Sequence, residues 1–216
     1  MNLQTYYWYF DRGLTPRLCD EIKKFALFST PKVATVTGLR DNIKTRNLEK
    51  DPLDEKETKV LHKVRKSNVV WLNEPWIFKE INPFLHEANK RAGWNFEISW
   101  SESIQFTCYK KGHFYTWHHD ALSGAYKDAN NLNTFNKMRK LSMIINLTDP
   151  NEYKGGELQF CFNDKEPGKN KPSLCREVKP KGSVVVFPSF LWHRVTPVTK
   201  GVRYSLVCWN LGKAYV

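Results

Sequence analysis

From Trp94 onward the apolar residues fall on every second position. Phe96, Ile98 and Trp100, then Ile104, Phe106 and Cys108, alternate with polar residues. A period of two sends one set of side chains to one face of a pleated strand, so the segment reads as antiparallel sheet with a buried face. Two later segments extend the pattern. Gly182 to Phe187 is an apolar run that enters the turn Pro188-Ser189, and Val202 to Trp209 is a further strand. These segments predict an α+β, mainly β protein, with residues 94–216 as the sheet core and residues 1–93 as helical support and first strands.

The first part of the chain carries helix signals. Thr15-Pro16 offers a capping hydroxyl with proline in the first turn, and Leu18, Ile22 and Phe25 follow at helical spacing, which predicts a helix over 16–27. A charged helical stretch is expected over 54–66, then a short apolar strand over 68–72. Asn73 and Pro75 open a second packing helix to Ala92, ended by Gly93 and kinked at Pro83. At 216 residues and 41% hydrophobic content the chain can bury one full core, so a single domain is expected.

Composition excludes several classes. There is no run of eighteen apolar residues, and Met1 to Trp8 lacks a basic start followed by an apolar stretch, so a soluble cytoplasmic protein without a membrane segment is expected, host-cytoplasmic if virus-encoded. Five scattered cysteines, without CxxC spacing, argue against a disulfide framework or a structural zinc. The net charge of +12 is largely diffuse but concentrates between Lys165 and Lys181, either as a solvated loop or as a docking face for phosphate or an acidic protein. Nothing in the sequence specifies an oligomeric state.

The chemistry-bearing residues are spread over three segments. In Thr116-Trp117-His118-His119-Asp120, a strand would point His118 and Asp120 to one face and His119 to the other. Such a pair also occurs in proteins that bind nothing. His193, just past the Pro188-Ser189 turn, supplies a second imidazole, and two histidines with a carboxylate make the facial set used by non-haem Fe(II) oxygenases. Ten residues on, Arg203 stands among apolar neighbours, where an unpaired charge is costly. A guanidinium in such a place suits a carboxylate ligand such as the distal end of 2-oxoglutarate.

The chain resembles the 2-oxoglutarate and Fe(II)-dependent dioxygenases, within them the prolyl 4-hydroxylase-like branch. The resemblance runs through Gln105 to Tyr109, Tyr115, His118-x-Asp120, Arg139 to Ser142, Gly155 to Leu158, Val186 to Ser189, His193 to Val195 and Gly201 to Trp209. It implies a double-stranded β-helix, or jelly roll, with His118, Asp120 and His193 on iron. It further implies Arg203 on the far carboxylate of 2-oxoglutarate with Tyr109 as its companion, and Arg139, Trp209 and Tyr115 on the substrate side. Fe(II), 2-oxoglutarate and O2 are the implied cofactors, with ascorbate as an accessory reductant. Lysine usually stands at the Arg203 position in collagen-type relatives, and Ile144 replaces a cosubstrate-binding tyrosine of some oxygen-sensor relatives.

The expected reaction is hydroxylation of a prolyl residue, at C4, in a peptide or protein, with 2-oxoglutarate converted to succinate and CO2. Ile144, Leu158 and Val195 read as apolar lining of the pocket or, more simply, as ordinary core, and the polar segment 121–137 as a lid or a plain connector. The alternatives are hydroxylation of another side chain or of a free amino acid, or oxidative demethylation of nucleic acid. The last usually shows a second arginine six residues after the cosubstrate arginine, where this chain has Trp209. A jelly-roll binding protein without activity is the non-enzymatic alternative.

Overall fold

The computed structural model describes residues 5–28, 32–33, 54–162, 167 and 171–214. Three helices, α1 (Pro16–Leu27), α2 (Glu55–Val64) and α3 (Pro75–Arg91), are found among these residues. Helix α1 begins as its sequence dictates: the Thr15 hydroxyl accepts from the Leu18 N–H, and Pro16 occupies the first turn. Asp54 and Glu57 form a reciprocal capping box on α2. The predicted charged helix stops at Val64 because Arg65 is extended, and Arg65–Lys66 forms strand β3. Helix α3 continues through Pro83 as one element.

The strands form two main antiparallel sheets. The larger takes the order β1 (Trp8–Phe10), β12 (Val184–Pro188), β8 (Lys137–Asn146), β15 (Arg203–Lys213), β6 (Ile104–Tyr109), β4 (Asn68–Leu72) and β2 (Lys32–Val33), with β5 (Trp100–Ser101) also on β15. The smaller runs β11 (Ser173–Leu174), β10 (Leu158–Cys161), β13 (Trp192–Val195), β7 (Phe114–His118) and β3. A third pair joins β9 (Tyr153–Gly155) to β14 (Val198–Gly201). The architecture is the mainly β jelly roll expected, with the helices as support.

Alternation on β15 sorts the two sides of the large sheet. Leu206 and Cys208 join the core that Ile22, Ile77, Ile81 and Leu85 of the helices fill, whereas Arg203, Ser205, Val207 and Trp209 face a cavity toward the smaller sheet. A second core, with Ile144, Leu158, Phe160, Val185 and Phe187, lies beside that cavity. Leu158 is thus core, whereas Ile144, also in this core, and Val195 reach the cavity.

One stretch expected as strand takes another form. Residues 94–99 are not strand: the Asn89 carboxamide donates to the Phe96 carbonyl and accepts from the Phe96 N–H, taking the place of a ladder partner. Trp94, Phe96 and Ile98 still pack on the helical core. Strand β1, for which no local pattern was read, pairs with β12 from Trp8↔Val186 to Phe10↔Val184. Of the basic stretch, Lys165 and Lys169 lie outside the described residues. Lys181 is ion-paired to Asp20 at 2.7 Å, and the Lys179 ammonium stands over the Tyr153 ring.

Candidate metal centre and cosubstrate pocket

His118 closes β7 and His193 is its direct cross-strand partner on β13, so pairing register alone brings the two imidazoles together, with ring centroids 4.1 Å apart. Asp120 lies in the bend after β7 rather than on the strand, its N–H donating to the Ser189 carbonyl at 2.9 Å. One carboxylate oxygen stands 3.7 Å from His118 Nε2 and the other 3.5 Å from His193 Nε2. The ligand-type atoms of the three residues all lie within 4.8 Å of one another.

Each group is held in its ligating form. His118 Nδ1 pairs with the Thr116 carbonyl at 2.8 Å and His193 Nδ1 with the Leu191 carbonyl at 2.9 Å, which makes Nδ1 the protonated nitrogen and leaves the Nε2 lone pair available. Burial, reinforced by His193, holds the His118 pKa well below the ordinary histidine value, so the ring is neutral. Burial pushes the Asp120 carboxyl up, but His193, His118, Arg139 and a hydrogen bond from Ser142 outweigh it and hold the pKa at about 2. Ser142 Oγ donates to Asp120 Oδ2 at 2.7 Å and lies 2.9 Å from Ser189 Oγ, both serines being fully buried. Two imidazoles that each direct Nε2 at one carboxylate fit a divalent iron. His119 points elsewhere: it is exposed, its Nδ1 meets the Ala121 carbonyl, and its ring packs edge-on against Trp192.

Arg203 is buried in the narrow cavity between the sheets, together with Tyr109, Tyr115, Ile144, His193 and Val195. Its Nη1 reaches Ser205 Oγ at 3.4 Å and its guanidinium stands 5.7 Å from the Tyr109 ring, its register partner. No carboxylate pairs with it among the described residues. A buried guanidinium facing a cavity that also touches His118, Asp120 and His193 is matched by a ligand with a carboxylate at one end and metal-binding oxygens at the other.

Beyond the triad a cleft of ≈700 Å³ opens between Tyr115, Arg139, Trp209 and the start of the 121–137 segment. Tyr115 stacks on His118 with centroids 3.4 Å apart. Arg139 stacks on Trp209 at 3.9 Å, and its Nε and Nη2 donate to both oxygens of Glu102 at 2.7 and 2.6 Å. Burial lowers the Arg139 pKa, but Glu102 more than reverses this, so the guanidinium stays charged. Tyr126, inside the polar segment, donates from its hydroxyl to the same carboxylate at 3.0 Å and exchanges backbone hydrogen bonds with Asn136 and Lys137. Tyr126 thus ties the middle of the segment to the site.

All eight residues expected at the site line these two spaces. Sequence reasoning missed Ser142, Glu102 and Arg65. Ser142 stood in a quoted motif without a role. Glu102 is a single acid between two serines, and Arg65 closes a helical pattern before its side chain turns inward over the Tyr115 ring at 4.6 Å, so neither carried a local signal.

Residues 104–210 match the family model of the 2OG-Fe(II) oxygenase superfamily. A PKHD-type hydroxylase from Synechococcus sp. (strain JA-2-3B'a(2-13)) is 33% identical over 108 residues, which is 50% of this chain and 42% of that protein. The chain therefore spans less than half the length of that relative. In fold it is similar to the viral collagen prolyl hydroxylase of Paramecium bursaria Chlorella virus-1 in its 2OG complex, with a TM-score of 0.62 at 20% identity over 97% of each chain. It is also similar to a prolyl hydroxylase from Trichoplax adhaerens in complex with a hypoxia inducible factor peptide, with a TM-score of 0.58 at 14% identity over 96% of this chain and 84% of that one. With that match and this site geometry, the chain belongs to the 2OG-Fe(II) oxygenase superfamily, whose cofactor set is Fe(II), 2-oxoglutarate and O2.

Proposed function

We propose that the protein is a 2-oxoglutarate-dependent dioxygenase that hydroxylates a prolyl residue, at C4, in a peptide or protein. The observation that carries the dioxygenase reading is the buried His118/Asp120/His193 cluster sharing one cavity with Arg203, a cation without a carboxylate partner among the described residues. When bound, Fe(II) with 2-oxoglutarate and O2 supplies the oxidising chemistry that turns a C–H into a C–OH and releases succinate and CO2. His118, Asp120 and His193 hold the metal, and the Thr116 and Leu191 carbonyls fix the ring tautomers for that task. Arg203 binds the distal carboxylate of the cosubstrate, Tyr109 closes its pocket, and Ile144 and Val195 keep water from its carbon chain.

The prolyl part rests on the cleft. Tyr115, Arg139 and Trp209 surround the approach to the metal, and this aromatic lining suits the apolar edge of a pyrrolidine ring. The Trichoplax adhaerens relative, similar in fold, was solved with a peptide bound. The test is incubation of the protein with Fe(II), 2-oxoglutarate, O2, ascorbate and a library of proline-containing peptides, followed by mass spectrometry and succinate assay. A peptide that gains one oxygen on proline, with stoichiometric succinate, is the expected outcome. Stimulation by a nucleic acid or a free amino acid instead would refute the prolyl reading and leave the dioxygenase reading standing.

A further inference from the structure

The catalytic cleft does not end at Trp71 and Tyr126. These two side chains also wall a second, larger groove of ≈1110 Å³ between α3 and the loop beyond Tyr126. On the near side, the Trp71 ring lies 6.0 Å from that of Trp209. Glu102, which lines the groove, grips both Tyr126 and Arg139. Groove and cleft thus adjoin at these shared walls, with the metal site on the cleft side.

Size and lining indicate what would lie there. Small-molecule pockets occupy about 300–1,000 Å³, and groove plus cleft exceed that range, so a free amino acid would leave most of the surface bare. Trp71 and Trp100 present their faces at 47% and 41% exposure, with Asn131 and Asn133 alongside. Exposed indoles beside carboxamides match an extended polypeptide, whose side chains need apolar platforms and whose peptide groups need both donors and acceptors. Charge separates the polymers. No lysine or arginine lines the groove among the described residues, in a chain of net charge +12, whereas Glu102 and Asp128 do. Within the groove itself a polyanion would meet the Asp128 carboxylate and, among the described residues, no lysine or arginine, Glu102 being already engaged by Arg139, while a neutral or basic polypeptide would not be opposed.

We infer that this groove binds the polypeptide flanking the reacting residue, so that the substrate is an extended, neutral or basic protein segment recognised well away from the metal. The inference rests on the peptide reading of the cleft. It is tested with two peptides, one of about four residues around a central Ala-Pro and one of about fifteen residues with the same core and flanking lysines. The longer peptide is expected to have a kcat/KM about tenfold or more above the shorter, and Trp100→Ala and Asp128→Lys are each expected to bring that ratio toward one. Thermal unfolding and metal binding of both variants check their folding, since both positions lie at the surface of the groove. Equal kcat/KM for the two peptides, or a length advantage that survives both substitutions, overturns the groove. Binding of the labelled longer peptide, read by fluorescence anisotropy, separates the two readings. A peptide bound in a Trp100-dependent way but never hydroxylated keeps the groove and refutes the prolyl reading; a peptide neither bound nor hydroxylated refutes both. Trp100-dependent binding of an oligonucleotide in its place would also overturn the inference.

Discussion

At the residue scale the site is built from groups whose protonation is set by what touches them. The three ligand candidates depend on one another and on Ser142, whose hydroxyl is fully buried against Asp120 Oδ2. Ser142→Ala removes that donor without disturbing the packing volume much, and the loss of such an orienting bond typically costs 10- to 100-fold in metal affinity. Titration of the apoprotein with Fe(II) under anaerobic conditions should therefore show about tenfold weaker binding. Asp120→Ala, His118→Ala and His193→Ala should each abolish turnover, while His119→Ala, whose ring packs outside against Trp192, should bind metal as the parent does. Full iron binding by Asp120→Ala would refute the ligand assignment. For Arg203, removal of the buried cation should cost about 2 to 5 kcal/mol of cosubstrate binding. Arg203→Ala should thus raise the 2-oxoglutarate requirement far more than the iron requirement, and Arg203→Lys should recover part of it because one charge but not the fork is restored. An unchanged cosubstrate requirement in Arg203→Ala would remove the anchor from this position.

At the scale of elements, function depends on where strands end. Asp120 reaches the metal position because β7 stops at His118 and the bend beyond is held by two N–H groups on the Ser189 carbonyl, just after β12. That same bend starts the segment whose Tyr126 is fastened to Glu102. Tyr126→Phe removes one hydrogen bond, about 1 kcal/mol, and should speed amide hydrogen exchange at Tyr126, Asn136 and Lys137, whose backbone bonds close the segment. Unaltered exchange there would mean the tyrosine is not its fastening. Strand β12 itself is entered through Gly182, with φ +83°, where an added Cβ would lie 2.0 Å from the Leu14 carbonyl oxygen. The Leu14 N–H donates to the Gly182 carbonyl at this crossing. Gly182→Ala should lose more than about 2 kcal/mol of stability, from the left-handed backbone and the clash together, measurable as a lowered midpoint in urea.

At the scale of the molecule, the five cysteines are free and scattered over helix, sheet and loop. Burial pushes the thiol of Cys19 up to about 11 and those of Cys175 and Cys208 up to about 12. A raised pKa keeps a thiol protonated at every pH below it, and the protonated form is the unreactive one. Native protein at pH 8 should accordingly resist alkylation at these three positions and lose that resistance on unfolding, as peptide mapping by mass spectrometry would show. Rapid labelling of Cys208 in native protein would contradict its place in the core. Among the described residues no helix is long and apolar enough to cross a membrane.

Features that depend on local order could be read from the residues alone. The capped start of α1 and the period of β6 and β15 are short-range patterns; the step from His118 to Asp120 marked the ligand pair, although Asp120 reaches the metal position from the bend beyond β7 and not from a shared strand face. Arg203 was legible locally too, as a charge inside an apolar strand. Tertiary structure alone decided what depends on partners distant in the chain. Phe96 follows a strand-like period yet takes its hydrogen bonds from Asn89, and Trp8–Phe10 becomes a strand only because β12 offers it an edge. Glu102 meets Arg139 across 37 positions and Ser142 meets Asp120 across 22, so neither role leaves a mark on its own neighbours in the chain. The metal centre joins both kinds of information, because each ligand was readable where it stands, while the distance between them was fixed by the register of β13 on β7, where His193 faces His118.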